Sequence, residues 1–207
     1  MALPLTDTQV RDCRDRIRAV AEAQFARRGL AATSLRSIAA ELGWAPASLY
    51  RYFRNKDELL AATRAAALNR FSDRIEAAYA QPGDLWERSR ALGDAYVDFA
   101  FEQPAAYQLI FALEQADGDK TPALRAAEER SHRTLTGYIE DMVAAGLLEG
   151  DPELLGHVYW SAIHGLIVLQ MAGKLKPSLP FDTIRHEITR LLTRGALNRL
   201  GRAGHID

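Results

Sequence analysis

The stretch "LGWAPASLYRYFRNKDELL", Leu42 to Leu60, decides how the chain is read. Between Glu41 and Asp57 it holds no acid, only Arg51, Arg54 and Lys56, with Tyr50, Tyr52 and Phe53 set among them. "GWA" predicts a turn, and Pro46 suits a first helical position, where its missing N–H costs nothing. Leu49 and Phe53 stand four apart and predict the buried side of the helix that follows. Ala47, Ser48, Tyr50, Arg51 and Tyr52 are left on the outward arc. Such a helix is a core element on one side and a surface for an anion on the other.

Upstream, Asp7 or Thr8 is expected to cap a first helix with Ile17, Val20, Ala21 and Phe25 at helical spacing, and Gly29 to stop it after Arg27 and Arg28. Thr33 or Ser34 then caps a short second helix carrying Leu35, Ile38, Ala39 and Leu42, ended by Gly43. Two short helices joined by a glycine-containing turn describe a helix-turn-helix, whose second helix enters the DNA major groove. Small residues at the start of the third helix let the backbone approach base edges, and Ser48 donates or accepts. Tyrosine hydroxyls and Lys56 reach phosphates, and Arg51 reaches phosphate or guanine. Lys56 also opens the next helix, whose N-terminus favours the same phosphate.

The bulk properties agree with this reading. Residues 1–56 hold 10 Lys and Arg against 5 Asp and Glu, while residues 57–207 hold 16 against 22, so a basic head precedes an acidic remainder. Cys13 is the single cysteine, which excludes an internal disulfide framework and fits a cytoplasmic setting. The N-terminal sequence lacks the apolar core of an export signal. Downstream, helices are expected over 57–80, 84–102, 104–113, 122–145, 152–172 and 181–199, separated by breaks such as "QPGD" and "GLLEGDP". The fold class is all-α with about nine helices: a helix-turn-helix DNA-binding domain over 1–56 and a larger helical domain over 57–207. Leu154 to Gly173 is 20 residues without a charge, long enough to cross a bilayer. Two histidines, Ser161, Gln170 and three glycines weigh against that, and no membrane role is expected.

"FARRGLAATSLRSIAAELGWAPASLYRYFRNKDELL", Phe25 to Leu60, resembles the DNA-binding domain of the tetracycline-repressor (TetR) family of bacterial regulators. Phe25, Gly29, Thr33, Ser34, Ile38, Ala39, Gly43, Leu49, Tyr50, Tyr52, Phe53, Lys56 and Leu59 match the family pattern in order. The resemblance implies that Ser34, Arg36, Ser48, Tyr50, Arg51, Tyr52 and Lys56 lie at the DNA, and that 57–207 is an effector-binding and dimerisation domain. Two positions depart from it. Ala45 stands where a hydroxyl N-cap is frequent, and Trp44 where valine is usual; the indole is read as filling the seam between helices rather than touching DNA. "PAAYQLIF" and "WSAIHGLIVLQMAG", with Trp160, His164 and Gly165, resemble a subgroup whose C-terminal domain is named for Trp, His and Gly.

In the larger domain Tyr96, Phe99, Tyr107, Phe111, Tyr138, Met142, Trp160 and His164 are candidates to line a pocket for an apolar or aromatic effector. Gly156, Ser161, Ala162 and Gly165 allow a second helix to come close. The resemblance implies a homodimer through helices eight and nine, with Leu155, Tyr159, Ala162, Leu166, Ile184, Ile188, Leu191 and Leu192 as candidate contacts. His157 and His164 share a helical face but lack a third ligand at matching spacing, so no metal or cofactor is expected. An enzyme using His164 or His132 as acid or base finds no supporting motif. The expected function is a repressor that leaves a palindromic operator when a small molecule binds.

Overall fold

The computed structural model describes residues 6–111 and 115–197 and is helical throughout, with nine α-helices among the described residues. They are α1 Asp7–Ala32, α2 Leu35–Leu42, α3 Pro46–Leu49, α4 Lys56–Tyr79, α5 Leu85–Glu102, α6 Pro104–Phe111, α7 Pro122–Ala144, α8 Pro152–Met171 and α9 Phe181–Ala196. The expected ends of α6 at Leu113 and α9 at Arg199 lie outside the described residues. The chain forms two compact units, Met1–Arg74 with Asp98–Ser131, and Ile75–Val97 with His132–Asp207. Helices α4, α5 and α7 therefore each supply residues to both.

In the first unit the caps set the helix limits. Thr6, not Asp7 or Thr8, caps α1: its hydroxyl accepts from the Gln9 N–H, and the Gln9 side chain accepts from the Thr6 N–H at 2.9 Å. Only Thr6 has a residue three places on that can complete this reciprocal pair. Helical geometry breaks at Gly29 (φ 75°, ψ 168°), and a further turn then runs to Ala32. Ser34 is the cap of α2 and exchanges hydrogen bonds with Ser37, leaving Thr33 buried with its hydroxyl on the Gly29 carbonyl. Gly43 takes the left-handed conformation (φ 70°, ψ 25°) that ends α2.

Pro46 opens α3, and Ala45 offers no side-chain cap. The helix is shorter than expected: it closes at Leu49, and the chain continues as a tight turn in which the Tyr52 and Phe53 N–H groups both donate to the Leu49 carbonyl. Leu49 and Phe53 are nonetheless fully buried, joining Ile17, Ala21, Phe25, Leu35, Ile38, Leu59 and Leu60 in one core. A polar latch ties α1 to α2. Buried Gln24 donates to the Ser37 carbonyl and the Glu41 carboxylate and accepts from the Ser37 hydroxyl, and Arg27 pairs with Glu41 at 3.0 Å. These neighbours hold the Glu41 carboxyl below its usual range, the Gln24 hydrogen bond foremost.

The second unit is built from α8 and α9 with parts of α4, α5 and α7. Asp151 caps α8 through the Glu153 and Leu154 N–H groups, and Pro152 occupies its first position. Gly156 lets α8 lie directly on α7, because a Cβ there would stand 3.1 Å from the Thr136 Cα. Tyr79 donates to Asp141 at 2.6 Å under the guanidinium of Arg88, and burial first, then Asp141, raises its phenol to about 12. Helix α8 is long and apolar enough to cross a membrane by length and composition alone. Here one side of it packs inside this unit: Leu166 and Ile167 are buried, and the Tyr159 hydroxyl meets Thr193 of α9 at 2.9 Å.

Candidate functional site

The basic head presents its candidate contacts unequally. Ser34, Arg36, Ala47, Tyr50 and Arg51 are exposed, and Ser48 is half-buried. Arg36 and Arg51 make no ion pair or hydrogen bond with any described residue, so both guanidiniums are available. Tyr50 is 57% exposed, high for an aromatic residue on a structured turn. Tyr52 is different. It is half-buried with its ring 6.2 Å from that of Trp44, its carbonyl accepts from Arg14, and a contact with Cys13 raises its phenol. Trp44 itself lies against the head's core, with the Arg16 guanidinium 5.3 Å from its ring. Lys56 is half-buried and donates to the Leu30 carbonyl at 3.0 Å, so its ammonium braces the head. Arg54 is drawn to Glu58, whose carboxyl is lowered by the Arg54 N–H and side chain.

The second unit encloses a cavity of about 580 Å³. Of the eight candidates, Tyr96, Tyr138, Met142 and Trp160 line it. Phe99, Tyr107 and Phe111 do not: they belong to the first unit, where Phe71 meets Phe99 and Phe111 edge-on and Tyr107 packs on Phe111. His164 stands behind the wall. The Trp160 N–H donates to the Tyr96 hydroxyl at 3.0 Å, and that hydroxyl lies 3.3 Å from His164 Nδ1. With one lone pair used by the indole, the Tyr96 O–H can donate to Nδ1. Burial lowers the His164 pKa and keeps the ring neutral, as an acceptor must be. Sequence reasoning missed Trp86, Arg90, Arg185, Arg190 and Arg194 on the cavity wall. The signal was present, since Trp86, Arg90 and Gly93 recur at helical spacing along α5.

Residues 17–63 match the bacterial regulatory proteins of the tetR family, and residues 89–194, more than half of the chain, match the tetracyclin repressor-like C-terminal domain. The chain belongs to the tetR family. HTH-type transcriptional regulators of Mycobacterium tuberculosis and Mycobacterium bovis are each 30% identical to it over 157 residues, covering 72% of this chain and 64% of theirs. It thus aligns with less than two thirds of the length of those relatives. A protein of unknown function from Rhodococcus sp. RHA1 superposes with a TM-score of 0.77 at 26% identity, over 89% of this chain and 95% of the other. A TetR family transcription regulator from Marinobacter aquaeolei VT8 shares the fold with a TM-score of 0.74 at 22% identity, over 91% and 98%.

In this tetR-family chain the candidate contacts on α8 and α9 differ in exposure. Leu155 and Tyr159 pack with Met142, Leu148 and Ala196, and Leu166 is buried, so these three candidate contacts face inward. Leu154, Val158 and Val168 are exposed at helical spacing, with Ser161 and Gly165 between them and Leu169 beside them. On α9, Leu191 is exposed while Ile184, Ile188 and Leu192 are half-buried, as is Ala162 on α8. Among the described residues no group of three or more His, Cys, Asp or Glu side chains is placed to hold a metal. His157 turns its Nδ1 to the Glu153 carbonyl and its ring toward His132.

Proposed function

We propose that this chain is a DNA-binding transcriptional repressor acting as a homodimer on a palindromic operator and released by a small-molecule effector. One observation carries the reading: the head exposes Tyr50 and Arg51 within a stretch free of acids from Leu42 to Lys56, together with Arg36 of α2, and neither arginine has an ion pair or hydrogen bond among the described residues. A carboxylate there would repel phosphate, and an uncommitted arginine beside a helix start suits phosphate or guanine. Residues 1–56 are the proposed DNA-binding domain, with Ser34, Arg36, Ala47, Ser48, Tyr50 and Arg51 toward the duplex, and Tyr52 and Lys56 contributing while they brace the head.

Two further features support the mechanism. Exposed apolar side chains on α8 and α9 are suited to meet their copies in a second chain, and a two-fold dimer would set its recognition helices about 34 Å apart, one turn of duplex. The cavity supplies a place for the effector. A ligand held there acts only through its preference for a state that binds DNA poorly, with couplings of about 1 to 3 kcal/mol. Helix α4, which starts at Lys56 and ends at Tyr79, is the proposed carrier.

The test is a gel shift with the promoter region adjoining the chain's own gene, run across a salt series. Binding that weakens steeply with salt and is lost in a Tyr50→Ala, Arg51→Ala double variant supports the reading. Undiminished affinity in that variant overturns the site.

A further inference from the structure

The cavity in the second unit has a wall and a rim of different chemistry. Trp86, Tyr96, Tyr138, Tyr159 and Trp160 make the wall largely aromatic, and its size falls in the range of small-molecule sites, about 300 to 1,000 Å³. The rim is charged, with Arg90, Arg185, Arg190 and Arg194 against Asp94 and Asp182. Two of the four arginines are committed: Arg185 to Asp94 and Arg190 to Glu187. Arg90 and Arg194 have no ion pair or hydrogen bond with any described residue. Arg185 of α9 meets Asp94 of α5, and Trp86 of α5 packs against the cluster that includes Ala196 of α9, so the two helices both border the cavity. Arg90 and Arg194 line this same cavity.

The wall holds one unspent polar group as well. The Tyr138 hydroxyl makes no hydrogen bond with any described residue, although the ring is half-buried and lines the cavity. Apart from the rim carboxylate Asp182, the uncommitted polar groups named so far, Arg90, Arg194 and the Tyr138 hydroxyl, can all donate. A neutral hydrocarbon would leave all three unanswered, and an amine would meet a rim with an excess of positive charge. An acceptor-only head on an aromatic body answers both wall and rim. Among such heads a carboxylate matches the planar guanidinium fork with two parallel hydrogen bonds.

We propose that the cavity takes an aryl carboxylate, its ring against Trp86, Tyr138 and Trp160 and its carboxylate on Arg90 and Arg194 at the rim. This deepens the effector reading above and rests on it only for the regulatory consequence, because binding itself is measured without DNA. Calorimetric titrations of the full chain with 2-naphthoate, the neutral 2-naphthamide and the cationic 2-naphthylmethylamine test it. The carboxylate is expected to bind at least about tenfold more tightly than the amide, and the amine not at all. In an Arg90→Ala, Arg194→Ala variant whose unfolding midpoint matches the parent, that preference is expected to vanish while amide binding is unchanged. Equal affinity for acid and amide, an acid affinity unaltered in the double variant, or no binding of the acid overturns the proposal. A parallel gel shift separates the two readings: a chain that retards duplex DNA but ignores the carboxylate refutes only the ligand class. A chain that binds the carboxylate selectively and no duplex refutes only the regulator.

Discussion

The Lys56 ammonium donates to the Leu30 carbonyl across 3.0 Å, tying the first residue of α4 to the turn of α1 that follows the break at Gly29. The lysine proposed to meet phosphate is thus also a brace within the head. Lys56→Ala is expected to lower stability by about 1 kcal/mol or more, because a carbonyl loses a charged donor. It should weaken DNA binding less than Arg51→Ala does. Urea unfolding and a gel shift on the same preparations read the two effects separately.

Arg51 and Tyr50 give the opposite pattern. Both are exposed, and Arg51 has no ion pair or hydrogen bond among the described residues, so their joint replacement by alanine should leave stability within about 0.5 kcal/mol of the parent. Duplex binding should be lost. A variant that loses both stability and binding would show that this face supports the fold rather than the DNA.

Gly156 and Gly165 look alike on α8 but differ in surroundings. A Cβ on Gly156 would meet the Thr136 side chain at 3.0 Å and its backbone at 3.1 Å, whereas nothing lies within 4 Å of one on Gly165. Gly156→Val is expected to cost about 1 to 3 kcal/mol by overpacking α7 against α8. Gly165→Ala should stabilise the isolated chain by up to about 1 kcal/mol through helix propensity. Thermal unfolding of both variants checks the contrast.

The exposed face of α8 and α9 predicts assembly. Val158 and Leu191 are 39% and 59% exposed, so glutamate at both positions should leave the helical circular dichroism spectrum unchanged. It should convert a dimer to a monomer in sedimentation equilibrium, since a desolvated charge opposes an apolar contact. Retained dimer in this variant, with Leu155→Ala instead abolishing assembly, would return the interface to the opposite side of α8.

His164 predicts a pH dependence. Burial depresses its folded pKa below the ordinary 6.5, so the neutral ring is the form that fits beside Tyr96. As the pH falls below 6.5 the unfolded chain takes up the proton first, and stability declines until the folded pKa is passed; above 6.5 the site contributes no slope. His164→Gln should remove this component. Unfolding midpoints at pH 7.5 and 5.5 are expected to differ less in the variant than in the parent.

Short-range physics made much of this molecule legible from its residues alone. Helical spacing marked Ile17, Ala21, Phe25, Leu49 and Phe53 as core, Gly43 and Pro46 punctuated the turn before α3, and the gap in acids from Leu42 to Lys56 marked the outward face. Each signal involves groups within a few positions of one another, where backbone geometry sets which side chains meet. Caps and helix lengths were less legible, because Thr6 prevails over Asp7 and Thr8 only by reciprocal pairing with Gln9, and α3 ends after a single turn.

Only the tertiary structure decided which distant side chains share a space. Tyr96 and Phe99 stand three apart on α5, yet the first lines the cavity of the second unit and the second packs on Phe71 in the first. Periodicity separates a buried side from an exposed one but carries no information about what lies across it. Nor does the apolar pattern of α8, which runs nearly all round the helix, say which side is covered: Leu155 and Tyr159 stand beside Leu154 and Val158 in the sequence, and only packing against Met142 and Ala196 turns the first pair inward. Distance along the chain also hid the rim, because arginines on α5 and α9 become neighbours only when the two helices border one cavity.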